Sequence, residues 1–395
     1  MGQLNHFGSN MIKNTRSLSF VVFVLSLLGC GQSPGSSELR EVWNGANDPS
    51  IISGSGMVTE FWNLPLRGEV TQKGWSDFYW PTYQGGIAYR WRTEQIAYPL
   101  VSKTLTDKVF EKQSPAEKYD LLSGRYDFPT VAAERYRTRV LKTVPGTAEY
   151  DRTYSIPHWE GLCHGWAPAS QNFKEPRNKV SVRIRGNNAV VFYPSDIKAL
   201  LMFYQQYSGN RSTRTVFAGE RCNEDFVKVG ERVSRGELTR DALDKVRESE
   251  ACRDTNAATL HLVLANEIGR SKQGFVVDIT RDAEVWNQPV NSFDSQIKGV
   301  RDGASNGAAP GTVKEVQIFT KMFYSVEVAQ SIAPTGALEQ HLEYEYILEL
   351  NDKGQIIGGR WLSDSRPDFL WRESTPIFQG YFKRVEALYR ESIRE

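Results

Sequence analysis

The residues best suited to covalent chemistry lie in one short stretch, His158-Trp159-Glu160-Gly161-Leu162-Cys163-His164-Gly165-Trp166-Ala167-Pro168-Ala169. It sets a thiol between two glycines and two tryptophans. Small neighbours let a substrate backbone come close. Trp159 and Trp166 offer flat apolar walls that would keep water from a thioester while it waits for an amine. A half-cystine needs none of this; the alternative is an inert buried thiol.

A cysteine nucleophile needs an imidazole to take its proton and a carboxylate or amide to orient that ring. Five histidines are present. His6 falls in a leader, His341 in an alternating C-terminal strand, and His164 beside the thiol, where adjacent side chains diverge; His158 stays open. The better candidate is His261, a polar residue inside the apolar run Ala258 to Ile268, either a satisfied core histidine or a base. The run Gly274 to Thr280 reads as a buried strand with a single acid, Asp278. A buried carboxylate is costly unless paired, which points to His261 as its partner. Cysteine, a distant histidine, then an acid soon after is the chain order of papain-like proteases and of transglutaminases. Leu260, Val263, Leu264 and Ile268 fit a helical stripe ended by Gly269, whereas a papain-like arrangement puts its histidine on a strand, so both geometries stay open here. Pro168 requires any helix that begins at Cys163 to be short, or to begin later.

The elements that would position these groups are partly legible. Ser114-Pro115-Ala116-Glu117 is a capping box that starts a helix ending near Gly124. Lys179 to Tyr193 reads as a hairpin turning at Gly186-Asn187-Asn188. Ser195 is expected to cap a helix to about Tyr207, and Thr239 another with Leu243 and Val246 on its buried face. Strands are expected over Val313 to Val328, His341 to Leu350 and Gln355 to Trp361. A closing amphipathic helix from about Ile377 carries Tyr381, Val385 and Leu388 on one face. The class is α+β. Trp62, Trp75, Phe78, Tyr79, Trp80, Tyr83, Tyr89 and Trp91 make 56–150 an aromatic-rich region, most of it core. The small-residue loop Asp302 to Gly311 reads as a boundary between a catalytic core over 151–310 and C-terminal strands and helix over 311–395.

At the N-terminus, Lys13 and Arg16 precede an apolar run, Leu18 to Leu28, that meets Gly29 and Cys30 in the order of a secretory signal. Roughly eleven apolar residues are too few to span a bilayer. Leu27-Leu28-Gly29-Cys30 resembles a bacterial lipobox, which implies a signal over 1–29, a lipidated Cys30, a tether over 30–55 and an envelope lipoprotein on the outer membrane, facing the periplasm or the cell surface. Export makes the four cysteines informative. With Cys30 lipidated, three remain in an oxidising compartment and one must stay free. Cys222 and Cys252 flank a polar, charged segment and are the better pair, leaving Cys163. Lysine plus arginine (48) nearly cancels aspartate plus glutamate (47), so no global field favours nucleic acid.

Cys163-His164-Gly165-Trp166-Ala167-Pro168, the segment His261 to Thr280 and above all Val285-Trp286-Asn287-Gln288-Pro289-Val290 resemble the transglutaminase elicitor family. The likeness runs from about Trp75 to Trp371; Arg360 and Arg366 depart from its pattern. It implies a cysteine-transglutaminase or papain-like core in which Cys163 attacks a glutamine carboxamide, ammonia leaves, and the acyl group passes to a lysine or polyamine amine. His261 would serve as base and acid, Asp278 would hold its tautomer, and Trp286 and Pro289 would buttress the site or line its pocket. No organic cofactor is implied. Some transglutaminases need calcium; no EF-hand loop is visible, and the metal stays open. A papain-like peptidase or amidase, and an inactive binding lipoprotein, are the other readings of the same residues.

Overall fold

In the computed structural model, which describes residues 45–100, 110–184, 188–222, 224–247, 252, 255–280 and 283–395, the capping box at Ser114 is formed. Ser114 Oγ accepts from Glu117 N at 3.2 Å, and the Glu117 carboxylate accepts from Ser114 N at 2.9 Å. Together they satisfy two orphan N–H groups at the start of helix α1 (Pro115–Leu122). Helices α2 (Pro129–Thr138), α3 (Cys163–Asn172) and α4 (Pro194–Ser212) follow. Asp196, not Ser195, satisfies the start of α4: its carboxylate accepts from Tyr193 N at 2.8 Å, while Ser195 Oγ donates to Asp77. The same carboxylate takes Lys118 Nζ at 2.5 Å, and with both side chains fully buried this pair ties α1 to α4.

Strand β1 is Arg67–Glu69; β2 (Val180–Arg183) and β3 (Ala189–Phe192) form the expected hairpin, part of whose turn lies outside the described residues. After β4 (Thr215–Gly219) come α5 (Phe226–Ser234), α6 (Arg240–Arg247) and α7 (Ala257–Val263), the last running on in wider π-turns over Leu264–Ser271. Then follow β5 (Val276–Asp278), β6 (Asn287–Asp302), β7 (Lys314–Ser325), β8 (Glu339–Leu350), β9 (Ile356–Trp361), β10 (Phe369–Glu373) and helix α8 (Lys383–Ser392). The sheet order is β4-β10-β5-β6-β7-β8-β9, with β1 on β6 and every neighbouring pair antiparallel.

Two hydrophobic cores lie on opposite faces of this sheet, and strand alternation sorts residues between them. On β5, Val276 joins the core of α1 and α3–α4, while Val277 joins that of α7. On β10, Phe369 and Trp371 face the first core and Leu370 the second. The loop 302–311 is not a boundary. It joins β6 to β7, which pair from Asp302↔Lys314 back to Val290↔Tyr324 inside one sheet. The closing helix begins at Lys383, later than its pattern suggests: Tyr381 is 37% exposed, and the buried stripe is Val385 and Leu388. The leader, His6 and Cys30 lie outside the described residues.

Candidate active site

Cys163 is the first residue of α3, which is short enough to carry Pro168 inside it. Just before it, Leu162 N donates to Tyr79 O at 2.6 Å and Leu162 O accepts from Trp166 N at 2.7 Å. This clamps the turn that presents the thiol. Cys163 is 6% exposed, and Sγ lies 3.6 Å from Val285 O, in the approach to β6. A helix N-terminus favours a thiolate. Burial wins over it: the thiol pKa is pushed up to about 12 by desolvation, with Glu327 and Asp278 adding repulsion while the main-chain and side-chain N–H groups of Asn287 oppose the shift.

Asp278 is fully buried at the end of β5 and pairs in register with Asn287. Its Oδ1 accepts from Thr280 Oγ1 at 2.9 Å, Thr280 N at 3.1 Å and Trp286 N at 3.0 Å, so one carboxylate oxygen ties Thr280 to Trp286. Glu327, just past β7, accepts from Gln288 Nε2 at 3.0 Å on both oxygens, and burial raises its pKa. Trp286 is half-buried beside Tyr79, ring centroids 6.2 Å apart. Pro289 is buried in β6 opposite Val276. Trp159 is half-buried in the turn before the thiol.

His261 does not join this group. It sits on α7, fully buried in the opposite core, with Nδ1 2.9 Å from Tyr346 Oη, while Nε2 has no hydrogen-bond partner among the described residues. Asp278 shares its face of β5 with Val276, and so points away from α7. The expected Cys163–His261–Asp278 triad is therefore not assembled: the helical stripe read around His261 is real, and it turns the ring into the wrong core. Burial lowers the His261 pKa to about 4. The unfolded chain then binds the extra proton, so stability is full above about pH 6.5 and falls as pH drops toward 4, by up to about 3 kcal/mol. His261→Leu is expected to flatten this dependence in thermal melts at pH 4.5 and pH 7; a variant that keeps the parental pH dependence would assign the proton to another group.

The flanking residues also need correcting. Trp166 is fully buried and donates Nε1 to Trp75 O at 3.0 Å, so it is core and not a wall of the site. A Cβ on Gly161 would lie 2.7 Å from Tyr79 O, and one on Gly165 2.2 Å from Met202 O. The glycines admit neighbouring protein backbone, not substrate. Two other histidines lie near Cys163 in the chain. His158 stacks on Tyr83 at 4.4 Å, and its main-chain O accepts from Tyr79 Oη at 2.7 Å. His164 stacks on Trp371 at 4.4 Å, and the protein around it lowers its pKa. Cys222 and Cys252 form the expected disulfide, and Cys163 is free. Sequence reasoning missed Tyr79, Asn287 and Glu327 as neighbours of the thiol, and Trp371 as the partner of Asn287. Two adjacent amides, Asn287 and Gln288, in a strand otherwise bound for burial were the available signal. Among the described residues no group of histidine, cysteine and acidic side chains could hold a metal ion.

An antiparallel sheet covered by helices on both faces, with a lone thiol at a helix N-terminus, defines a mixed α+β protein resembling a solved transglutaminase. That structure is the GP42 transglutaminase from Phytophthora sojae, matched with a TM-score of 0.62 at 24% identity over 88% of this chain and 98% of that one. The transglutaminase elicitor family matches residues 52–380, and the chain belongs to that family. No curated protein sequence matches it.

Proposed function

We propose that the chain is a protein-glutamine γ-glutamyltransferase with Cys163 as nucleophile, its helix-borne thiol set against an acid and an amide on adjacent strands. The observation that carries this reading is the buried free thiol at the start of α3, faced by Asn287 and by the Asp278 carboxylate. The sulfur bonds to the glutamine Cδ, the C=O π pair moves to oxygen, and collapse expels ammonia once the nitrogen has been protonated. An amine then attacks the thioester and the thiol is regenerated. Tyr79 and Trp286 would exclude water during that wait. The thiol proton would pass to an imidazole, and with His261 in the other core His158 and His164 are the two nearest Cys163 along the chain. Asp278 holds Trp286, the residue after the Val285 whose carbonyl the sulfur meets.

The high thiol pKa and the absence of an imidazole hydrogen-bonded to Cys163 among the described residues also favour a second reading, a binding protein that has lost catalysis. Incubation with a glutamine-rich protein and a labelled primary amine separates these readings. The expected result is ammonia release matched by label incorporation. Ammonia without label marks an amidase, and neither product marks the binding protein.

A further inference from the structure

Half of the hydrogen-bonding capacity of the Asn287 side chain is fixed and half is held in reserve. Its Oδ1 accepts from Trp371 Nε1 at 2.8 Å. Trp371 is 1% exposed, held in β10 between β4 and β5 and stacked under His164. With Oδ1 engaged by an indole that can only donate, the amide cannot flip, and Nδ2 must point the other way. Nδ2 is buried without a hydrogen-bond partner among the described residues, in a side chain only 1% exposed. An amide donor left unpaired in the interior is costly to keep. Cys163 Sγ lies 3.6 Å from Val285 O, two residues before Asn287, and the main-chain and side-chain N–H groups of Asn287 both favour the thiolate, although Nδ2 makes no bond of hydrogen-bond geometry to the sulfur.

Two donors that favour a charge the sulfur carries only transiently are the arrangement needed for charge that develops during reaction. We infer that Asn287 is the oxyanion donor of the site, with its main-chain N–H and its Trp371-oriented Nδ2 bonding the carbonyl oxygen of the donor glutamine as the Cys163 sulfur adds to the carbon. The new oxygen is bonded to the carbon that the sulfur attacks, so donors close enough to favour the thiolate need little displacement to reach it. As the S–C bond forms, the π pair becomes an oxyanion and the two N–H groups take it up. As the C–N bond breaks, the pair returns to C=O and ammonia leaves with the proton it has gained. Nδ2 would then be unpaired at rest because its partner is the transition state. Asn287 thereby becomes a catalytic residue and Trp371 the residue that positions it.

This inference rests on the reading of Cys163 as nucleophile, so the test carries its own control. A glutamine-mimic aldehyde adds the Cys163 thiol across its C=O to give a hemithioacetal, while the matching alcohol binds without addition. Asn287→Asp keeps the size and the acceptor for Trp371 but removes the side-chain donors; Asn287→Ala removes the side-chain amide altogether. For both variants kcat is expected to fall by about 100-fold or more with KM within about threefold, and the preference for aldehyde over alcohol to fall by a similar factor. That preference is a ratio, so partial unfolding of a variant does not alter it. A parent that transfers amine and prefers the aldehyde, with variants that keep the preference, overturns the role of Asn287 alone. A parent that shows neither property overturns the reading of Cys163 and this inference with it.

Discussion

Cys163→Ala is expected to lower both amine incorporation and ammonia release by at least about a thousandfold, with the melting temperature essentially unchanged. No other side chain can substitute. Cys222 and Cys252 are joined to each other, so no second thiol among the described residues can carry the acyl group. The substitution removes one sulfur from a site where burial already disfavours the thiolate, and the turn that presents it is held by main-chain bonds from Leu162 to Tyr79 and Trp166. Fold and chemistry are therefore separable at this position. Transfer and hydrolysis assays on the variant, paired with a thermal melt, check both halves. Residual transfer above one per cent of parental in a folded variant would locate the nucleophile elsewhere.

Gly165→Ala is expected to damage fold and activity together. The added Cβ would lie 2.2 Å from Met202 O and 2.9 Å from Gln206 Cβ, so α3 would have to move off α4. A main-chain carbonyl inside a packed helix cannot swing aside as a side-chain tip can. The cost is about 3 kcal/mol of overpacking. The helix that moves carries the thiol, and the partners of the thiol belong to the sheet, so a displacement of a few tenths of an ångström separates Cys163 from Asn287 and Asp278. Denaturant unfolding and the transfer assay should both fall. A variant with parental stability would show that the two helices are less closely packed than this geometry requires.

What was legible in the sequence was local. The capping box at Ser114, the hairpin over 180–192, the strands β7 to β9 and the pairing of Cys222 with Cys252 all follow from signals a few residues wide, or from counting thiols. Asp278 as a buried strand acid and Cys163 as the free thiol were legible for the same reason. The partner of Asp278 was not. Whether His261 meets Asp278 depends on which face of the sheet each occupies, and a one-residue change in strand phase reverses the answer. On β5, Val277 faces α7 and Asp278 does not. The glycines beside Cys163 misled in a similar way, because close approach by a substrate and close approach by Tyr79 or Met202 leave the same mark on a sequence. Asn287 was inside the recognised hexapeptide, yet its role depends on Trp371, far along the chain and brought beside it only by the β5–β10 pairing. The loop 302–311 looked like a boundary because small residues mark a hairpin loop and a linker alike.

The most direct test of Cys163 as the acyl-carrying residue omits the amine. The protein is mixed with a glutamine donor peptide, quenched in acid within one turnover, and measured intact and after digestion by mass spectrometry. The expected species is the chain plus the donor peptide less ammonia, joined as a thioester that maps to Cys163 and disappears when an amine is added. An adduct on another residue, or amine transfer with no adduct on Cys163 at any time, would contradict it.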